Sequence, residues 1–391
     1  MQSQTPDLST RFHVESRAAA EDAGPSVRKL LLTTDAVGGV WTFCLELVNH
    51  LCQQNVHVVL ASMGPRPSPA QRRAAQGVAG LTLIEGDYAL EWMDDPWSDI
   101  DRAADWLLQI ESSFKPDVVH LNQYAHGVLP WQAPVVLTGH SCVLSWWRSV
   151  HGTDAPQAWA GYKQRVQAGL QHAQVVTAPS RAMLTCLENF YGPLPCPRVI
   201  YNGRDGRRFS PGVKRNIIAG MGRLWDDAKN LRALDEACAT LPWQTCLLGS
   251  TRAPGGADIH FRHATLVGEL NADEVALWLS RTAIFCSPAV YEPFGLAVME
   301  AALSGCALVL ADIPSFREIW QDAAVYVNPK DPDEIRRALA LLIGNPSRRV
   351  QLADAAKSRA SNFAGSCWAE KYLQSYHDAL QLRTPVQEGL Q

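Results

Sequence analysis

The chain has 391 residues, 47% hydrophobic and 19% charged, with a formal net charge of −4 and a pI near 6.3. This is a core-building composition, which excludes a disordered body, and the lack of a broad basic footprint excludes nucleic acid or an anionic membrane as an evident partner. The length is too great for one ordinary core and predicts two domains.

Residues 1–27 are polar, carry four acids and lack an apolar stretch, so they read as a disordered tail and not as a signal or transit peptide. From residue 28 onward, short β-branched or leucine-rich runs alternate with longer helical segments. "VRKLLLTT", "VHVVLAS", "LTLIEG", "DVVHLN", "PVVLTG", "QVVTAPS" and "PRVIYNG" read as strands, with amphipathic stretches such as 41–53 and 98–113 between them. That βαβ grammar predicts a parallel sheet. It restarts after the turn-rich "YNGRDGRRFSPG" with "NIIAGMG", "QTCLLGS", "ATLVGE", "AIFCSP", "ALVLAD" and "AAVYVN", and the chain then turns helical to its end. The boundary is expected between Gly192 and Gly212, where Pro193, Pro195 and Pro197 cluster. The expected division is a first domain over 28–195, a second over 196–365 and a final helical segment over 366–391. In that segment Trp368, Tyr372, Tyr376 and Leu380 fall on one helix face.

The ten cysteines are scattered with no C-x-x-C pair, several of them inside apolar runs, which predicts reduced core residues and a cytoplasmic setting. No stretch approaches the ~18 apolar residues of a membrane span, although peripheral contact with a membrane stays open.

A ligand of such an α/β chain belongs at the carboxyl ends of the strands, in the cleft between the domains. Several motifs lie at such ends. Gly38 and Gly39, in "DAVGGVW", permit close backbone approach to a ligand or make a plain tight turn; the pattern is not a G-x-G-x-x-G dinucleotide fingerprint. His140 ends "PVVLTGH" where a strand opens into the cleft, and Trp146, Trp147 and Arg148 follow as acceptor-lining or interface residues. "GMGRLWDDAKN" places Arg223 and Lys229 after a strand, where two cations can neutralise a diphosphate; the plainer reading is an ion pair with Asp226 or Asp227. In "VYEPFGLAVMEAALSG", Glu292 lies on a strand-to-helix loop and Glu300 more than one turn into the helix that Gly305 closes. The helix N-terminus favours anions and Gly295 admits a ligand to the backbone, so acids placed there want polar partners such as sugar hydroxyls. Otherwise they are an exposed loop acid and a solvated helix acid.

These motifs, in this order over about residues 28–385, resemble the E-x7-E pattern of the retaining glycosyltransferases of family 4, which have the GT-B fold. The resemblance implies two Rossmann-like doubly wound α/β domains facing a central cleft, with the C-terminal helix crossing back to the first domain. It implies a hexosyl group moving from a nucleotide diphosphate sugar to a hydroxyl acceptor, with no cofactor and no metal. Glu292 would then sit beside the donor sugar and Glu300 on the ribose hydroxyls. The backbone at Phe294, Gly295 and Leu296 would donate to the sugar or the β-phosphate. Arg223 and Lys229 would neutralise the diphosphate, the Gly38–Gly39 loop would border donor phosphates and acceptor, and His140 would contact the donor sugar. One departure stands out: "ADIPSFREIW" replaces the glycine-rich turn of many relatives and keeps Glu318 without paired glycines. Rival readings are a GT-B epimerase or hydrolase acting on nucleotide sugars, and a catalytically silent binder of such compounds. UDP, GDP and ADP donors remain open, as does the acceptor.

Overall fold

The computed structural model describes residues 27–253, 256 and 258–382. The expected tail lies outside these residues apart from Val27, and so does the end of the final segment beyond residue 382.

Seven strands form the first sheet: β1 (Lys29–Asp35), β2 (His57–Met63), β3 (Leu81–Glu85), β4 (Val118–Leu121), β5 (Val135–Thr138), β6 (Val175–Ala178) and β7 (Arg198–Val199). Six form the second: β8 (Arg215–Met221), β9 (Gln244–Leu248), β10 (Thr265–Gly268), β11 (Thr282–Ser287), β12 (Ala307–Ala311) and β13 (Val325–Val327). Their orders are β3-β2-β1-β4-β5-β6-β7 and β10-β9-β8-β11-β12-β13, with every ladder parallel. The strands read as apolar runs because helices cover both faces of each sheet. In β1, Leu31 packs into one layer while Leu30 and Leu32 pack into the other; in β11, Phe285 and Ile284 divide in the same way. The first sheet reaches Val199, past the expected limit at residue 195, because its two-residue edge strand β7, within the "PRVIYNG" run, still pairs with β6 beyond the proline cluster. Both strand orders reverse at the first strand of the sheet, between β1 and β4 and between β8 and β11. Those reversals open the crevices in which α/β sheets bind ligands.

Cys44, Cys142, Cys238, Cys246, Cys286 and Cys306 are buried core residues. Among the described residues no helix is long and apolar enough to cross a membrane.

The final helix, Cys367–Leu382, returns to the first domain. Trp368, Tyr372, Tyr376 and Ala379 are buried against Leu30, Leu32 and Val118 of that sheet and against its first helix, Gly39–Gln53, where Phe43 lies 5.5 Å from the rings of both Trp368 and Tyr372. A polar thread pins the contact. His120 on β4 bonds the Tyr376 hydroxyl through Nδ1 at 2.8 Å and Thr138 through Nε2 at 2.7 Å, and Thr138 continues to Thr177 at 2.6 Å. With every polar atom of the imidazole paired inside an apolar layer, the network is specific as well as adhesive.

Burial, with a smaller contribution from nearby His140, pushes the His120 pKa down from 6.5 to about 3. Above pH 6.5 the ring is neutral in both folded and unfolded chains. As the pH falls from 6.5 toward 3, the unfolded chain binds a proton that the folded one refuses, so this residue removes up to ~1.4 kcal/mol of stability per pH unit. His120→Gln should therefore be less stable than the parent at pH 7.5, with the gap narrowing as the pH approaches 4. Urea denaturation across that range checks it, and a gap that stays constant refutes the assignment of a neutral ring.

Candidate active site

The loops after β1, β5 and β6 meet those after β8 and β11 across the interdomain cleft. One approach is at the paired glycines. A Cβ on Gly38 would stand 3.3 Å from Arg223 Nη1, and one on Gly39 would stand 3.6 Å from the Leu296 side chain. Four residues singled out in the sequence thus converge on one place.

The loop after β11 is the most heavily constrained part of the site. Gly295 takes φ +92°, a left-handed value that lets the chain turn directly into the helix Leu296–Leu303, whose first turn has no side-chain cap. The N–H groups at its start are left for an anion or a hydroxyl. Phe294 is buried against Phe363 and sets the height of the turn, so only its backbone is available to a ligand. Glu292 accepts a hydrogen bond from Lys229 Nζ at 2.5 Å, and its carbonyl accepts one from Ser315 Oγ at 2.5 Å.

The same loop is gripped by the first domain. The Tyr291 hydroxyl accepts from Cys142 N at 3.2 Å and bonds Ser145 Oγ at 2.8 Å, on the helix Val143–His151. Ser180 Oγ donates to the Pro293 carbonyl at 2.7 Å. Glu318, on the helix Pro314–Trp320, accepts from Arg181 N at 2.7 Å and Ala182 N at 2.9 Å, capping the first-domain helix Arg181–Tyr191 from outside. The missing paired glycines therefore do not leave Glu318 idle; it joins the domains.

Arg223 follows β8 and donates from Nη2 to Asp226 Oδ2 at 2.6 Å. Asp226 also accepts from Ala228 N and from Trp146 Nε1 of the first domain, each at 3.0 Å. Trp146 is thus an interface residue, while Arg148 pairs with Asp154 and covers the Phe190 ring. Burial pushes the Asp226 pKa up, but the charges of Arg223 and Lys229 with the Trp146 bond outweigh it, and the carboxyl titrates below its usual range. Asp35, at the end of β1, shifts the other way: burial raises it further than the Val37 N–H and the Arg223 charge pull it back.

His140 lies behind the paired glycines, its ring 4.6 Å from Phe43. Its Nε2–H donates to Asn122 Oδ1 at 2.7 Å, while the Asn122 amide nitrogen donates to the Thr33 carbonyl at 2.7 Å, which fixes both orientations. Burial holds the ring neutral, with its pKa pushed down to about 3, and with the proton on Nε2 its Nδ1 is an acceptor that has no hydrogen-bond partner among the described residues. Trp41 is a core residue. Glu300 is buried and bonded through Oε1 to Arg204 Nε at 2.8 Å, and Arg204 Nη1 bonds Glu46 at 2.7 Å. The sequence reading missed Arg204, Glu46, Tyr291 and Gln123. Gln123, just beyond β4, is 5% exposed, and neither amide atom has a partner among the described residues. Spacing could not reveal Arg204, Glu46 and Tyr291, because their partners lie on other elements, nor Gln123, because the burial of an amide is a tertiary fact.

Comparison with known proteins bears on the family and the fold. The sequence model for Glycosyltransferase Family 4 matches residues 37–208, and that for Glycosyl transferases group 1 matches residues 261–359. A D-inositol 3-phosphate glycosyltransferase of Corynebacterium diphtheriae is 22% identical over 88% of this chain and 91% of its own length. A Mycobacterium tuberculosis glycogen synthase is 26% identical over 65% of this chain and 67% of its own. Among solved structures, sucrose-phosphate synthase from Thermosynechococcus elongatus superposes with a TM-score of 0.76 at 18% identity, covering 90% of this chain and 99% of that one. Anabaena HepE in complex with UDP-glucose gives 0.70 at 14% identity, over 89% and 98%. These likenesses bear out the GT-B architecture.

The Glu318 cap has a direct readout. Glu318→Ala should cost ~1–2 kcal/mol, as loss of a helix cap does, and should speed amide hydrogen exchange at Arg181 and Ala182. Unchanged exchange at those two amides contradicts the cap.

Proposed function

We propose the following reaction for this chain, which belongs to the family 4, group 1 glycosyltransferases: a hexosyl group moves from a nucleotide diphosphate sugar to a hydroxyl acceptor, with retention of configuration and without a metal ion. The observation that carries it is the convergence of Arg223, Lys229 and the uncapped start of the helix Leu296–Leu303 opposite Gly38 and Gly39. Two cations and a row of N–H groups beside paired glycines suit a diphosphate.

In this reading the bond from the anomeric carbon to the β-phosphate oxygen breaks, and the bond to the acceptor oxygen forms on the same face of the sugar. The acceptor proton passes to the departing phosphate oxygen. Arg223, Lys229 and the helix N-terminus hold the charge that grows on that phosphate, the role a divalent ion fills elsewhere. Glu292 orients the sugar and supports positive charge at its ring, His140 offers a neutral acceptor to a sugar hydroxyl, and Glu300 takes the ribose hydroxyls. Backbone groups at Phe294, Gly295 and Leu296 reach the sugar or β-phosphate. The solved neighbour with bound UDP-glucose supports a nucleotide sugar donor.

A thermal-shift panel of UDP, GDP and ADP, followed by product analysis with the matching sugar donors, tests the reading, because a bound ligand raises the melting temperature by mass action. Failure of all three to shift it refutes the nucleotide site. Lys229→Ala and Arg223→Ala should each lower turnover by roughly 10²–10³-fold with the fold intact; near-parental rates in both remove the phosphate assignment. Activity should persist in excess EDTA. A loss that magnesium or manganese restores contradicts metal independence.

A further inference from the structure

Arg204 has no task in the reaction just described, yet it is among the most costly residues in the structure to bury. It lies in the crossover between the two sheets at 7% exposure. Nη1 donates to Glu46 Oε2 at 2.7 Å, Nε donates to Glu300 Oε1 at 2.8 Å, and the guanidinium lies over the Phe209 ring. A second anchor comes from the next residue, whose backbone N–H donates to the other Glu46 oxygen. Side-chain exposure is at most 14% across the three charged groups.

Taking three charges out of water is expensive, and the cost is tolerated only with good geometry. The rigid arginine fork supplies that geometry, since its donors leave the plane in fixed directions. The two acids belong to the two helices that begin at the cleft. Glu46 is about two turns along Gly39–Gln53 and Glu300 about one turn along Leu296–Leu303. One cation against two carboxylates leaves acceptor capacity unspent. Among the described residues the Glu300 Oε2 has no hydrogen-bond partner.

We propose that Arg204 is a positioning residue for nucleotide binding: it holds Glu300 by Oε1, turns Oε2 toward the ribose hydroxyls, and through Glu46 ties that carboxylate to the first domain. A carboxylate fixed at one oxygen keeps a single orientation and surrenders less freedom when a ribose arrives. The inference rests on the proposed role of Glu300 as the ribose ligand.

The experiment compares binding of UDP, GDP and ADP with that of their 2′-deoxy counterparts, by calorimetry, for the parent and for Arg204→Leu, Arg204→Lys and Glu46→Gln. Hydrogen bonds to a charged group are worth roughly tenfold or more in affinity, so the parent should prefer the ribo form of its nucleotide by about that factor. Arg204→Leu should bring that preference within about threefold, with Arg204→Lys and Glu46→Gln intermediate. General destabilisation would weaken both forms alike and leave their ratio unchanged. A parental ratio retained in all three variants overturns the positioning role while leaving the ribose role of Glu300 standing. A parent that binds both forms equally overturns the ribose role itself, and this inference with it. Should Arg204→Leu fail to fold, the other two variants decide by the same ratio.

Discussion

The turn at residues 290–295 has to satisfy three demands at once: it ends a buried strand, begins an apolar helix, and joins two domains. Gly295 meets the second through a backbone conformation that other residues adopt only under strain. The Tyr291 hydroxyl and the Pro293 carbonyl meet the third by bonding residues of the first domain. The backbone of Glu292 is thereby fixed from both sides, since its neighbours are held by the first domain and its own carbonyl by Ser315. A site so held is positioned by the interface as much as by the sheet that carries it.

This explains why the cleft tolerates its charge. Arg223 is satisfied by Asp226, Lys229 by Glu292 and Arg204 by two acids, so each cation around the site has a carboxylate partner. Two of those carboxylates have further anchors: Asp226 accepts a first-domain tryptophan N–H, and Glu46 accepts a backbone N–H from the crossover. Only the Arg204 group spans the domains by charge, from Glu46 to Glu300; the other two pairs neutralise charge within the second domain, and Asp226 reaches the first through Trp146.

Much of the architecture was legible in the sequence for a physical reason. Strands buried on both faces must be apolar throughout, so the central strands of both sheets stood out as short hydrophobic runs between helical stretches. The aromatic face of the last helix was visible from its four-residue spacing, and it does lie on the first domain. The convergence of Gly38, Gly39, Arg223 and Leu296 also followed, since strand-end loops of facing sheets share one cleft. The polar contacts between domains were hidden. Nothing in the neighbourhood of Arg204 says that it will meet Glu46 and Glu300, and Glu318 read as the remnant of a lost turn because its partners are backbone N–H groups, which leave no trace in side-chain identity. The limit of β7 was obscured for a simpler reason: two residues cannot show a period.

The pairing of Lys229 with Glu292 links donor binding to the readiness of the site. On the proposed reading an arriving diphosphate competes with both carboxylates for the cations, and the two pairs respond differently. Arg223 can keep Asp226 on Nη2 and offer its remaining donors, and Asp226 is held by other bonds in any case. Lys229 carries its charge on one compact ammonium, whose three donors a phosphate would share with Glu292, so the bond to that carboxylate weakens. Glu292 then lies at 15% side-chain exposure with its main partner drawn away, a costly state unless hydroxyls replace the ammonium. The sugar carried by the same diphosphate supplies them. On that reading a nucleotide without its sugar would draw on Lys229 and offer Glu292 no hydroxyls in exchange, so the one ion pair would distinguish the complete donor from its own leaving group.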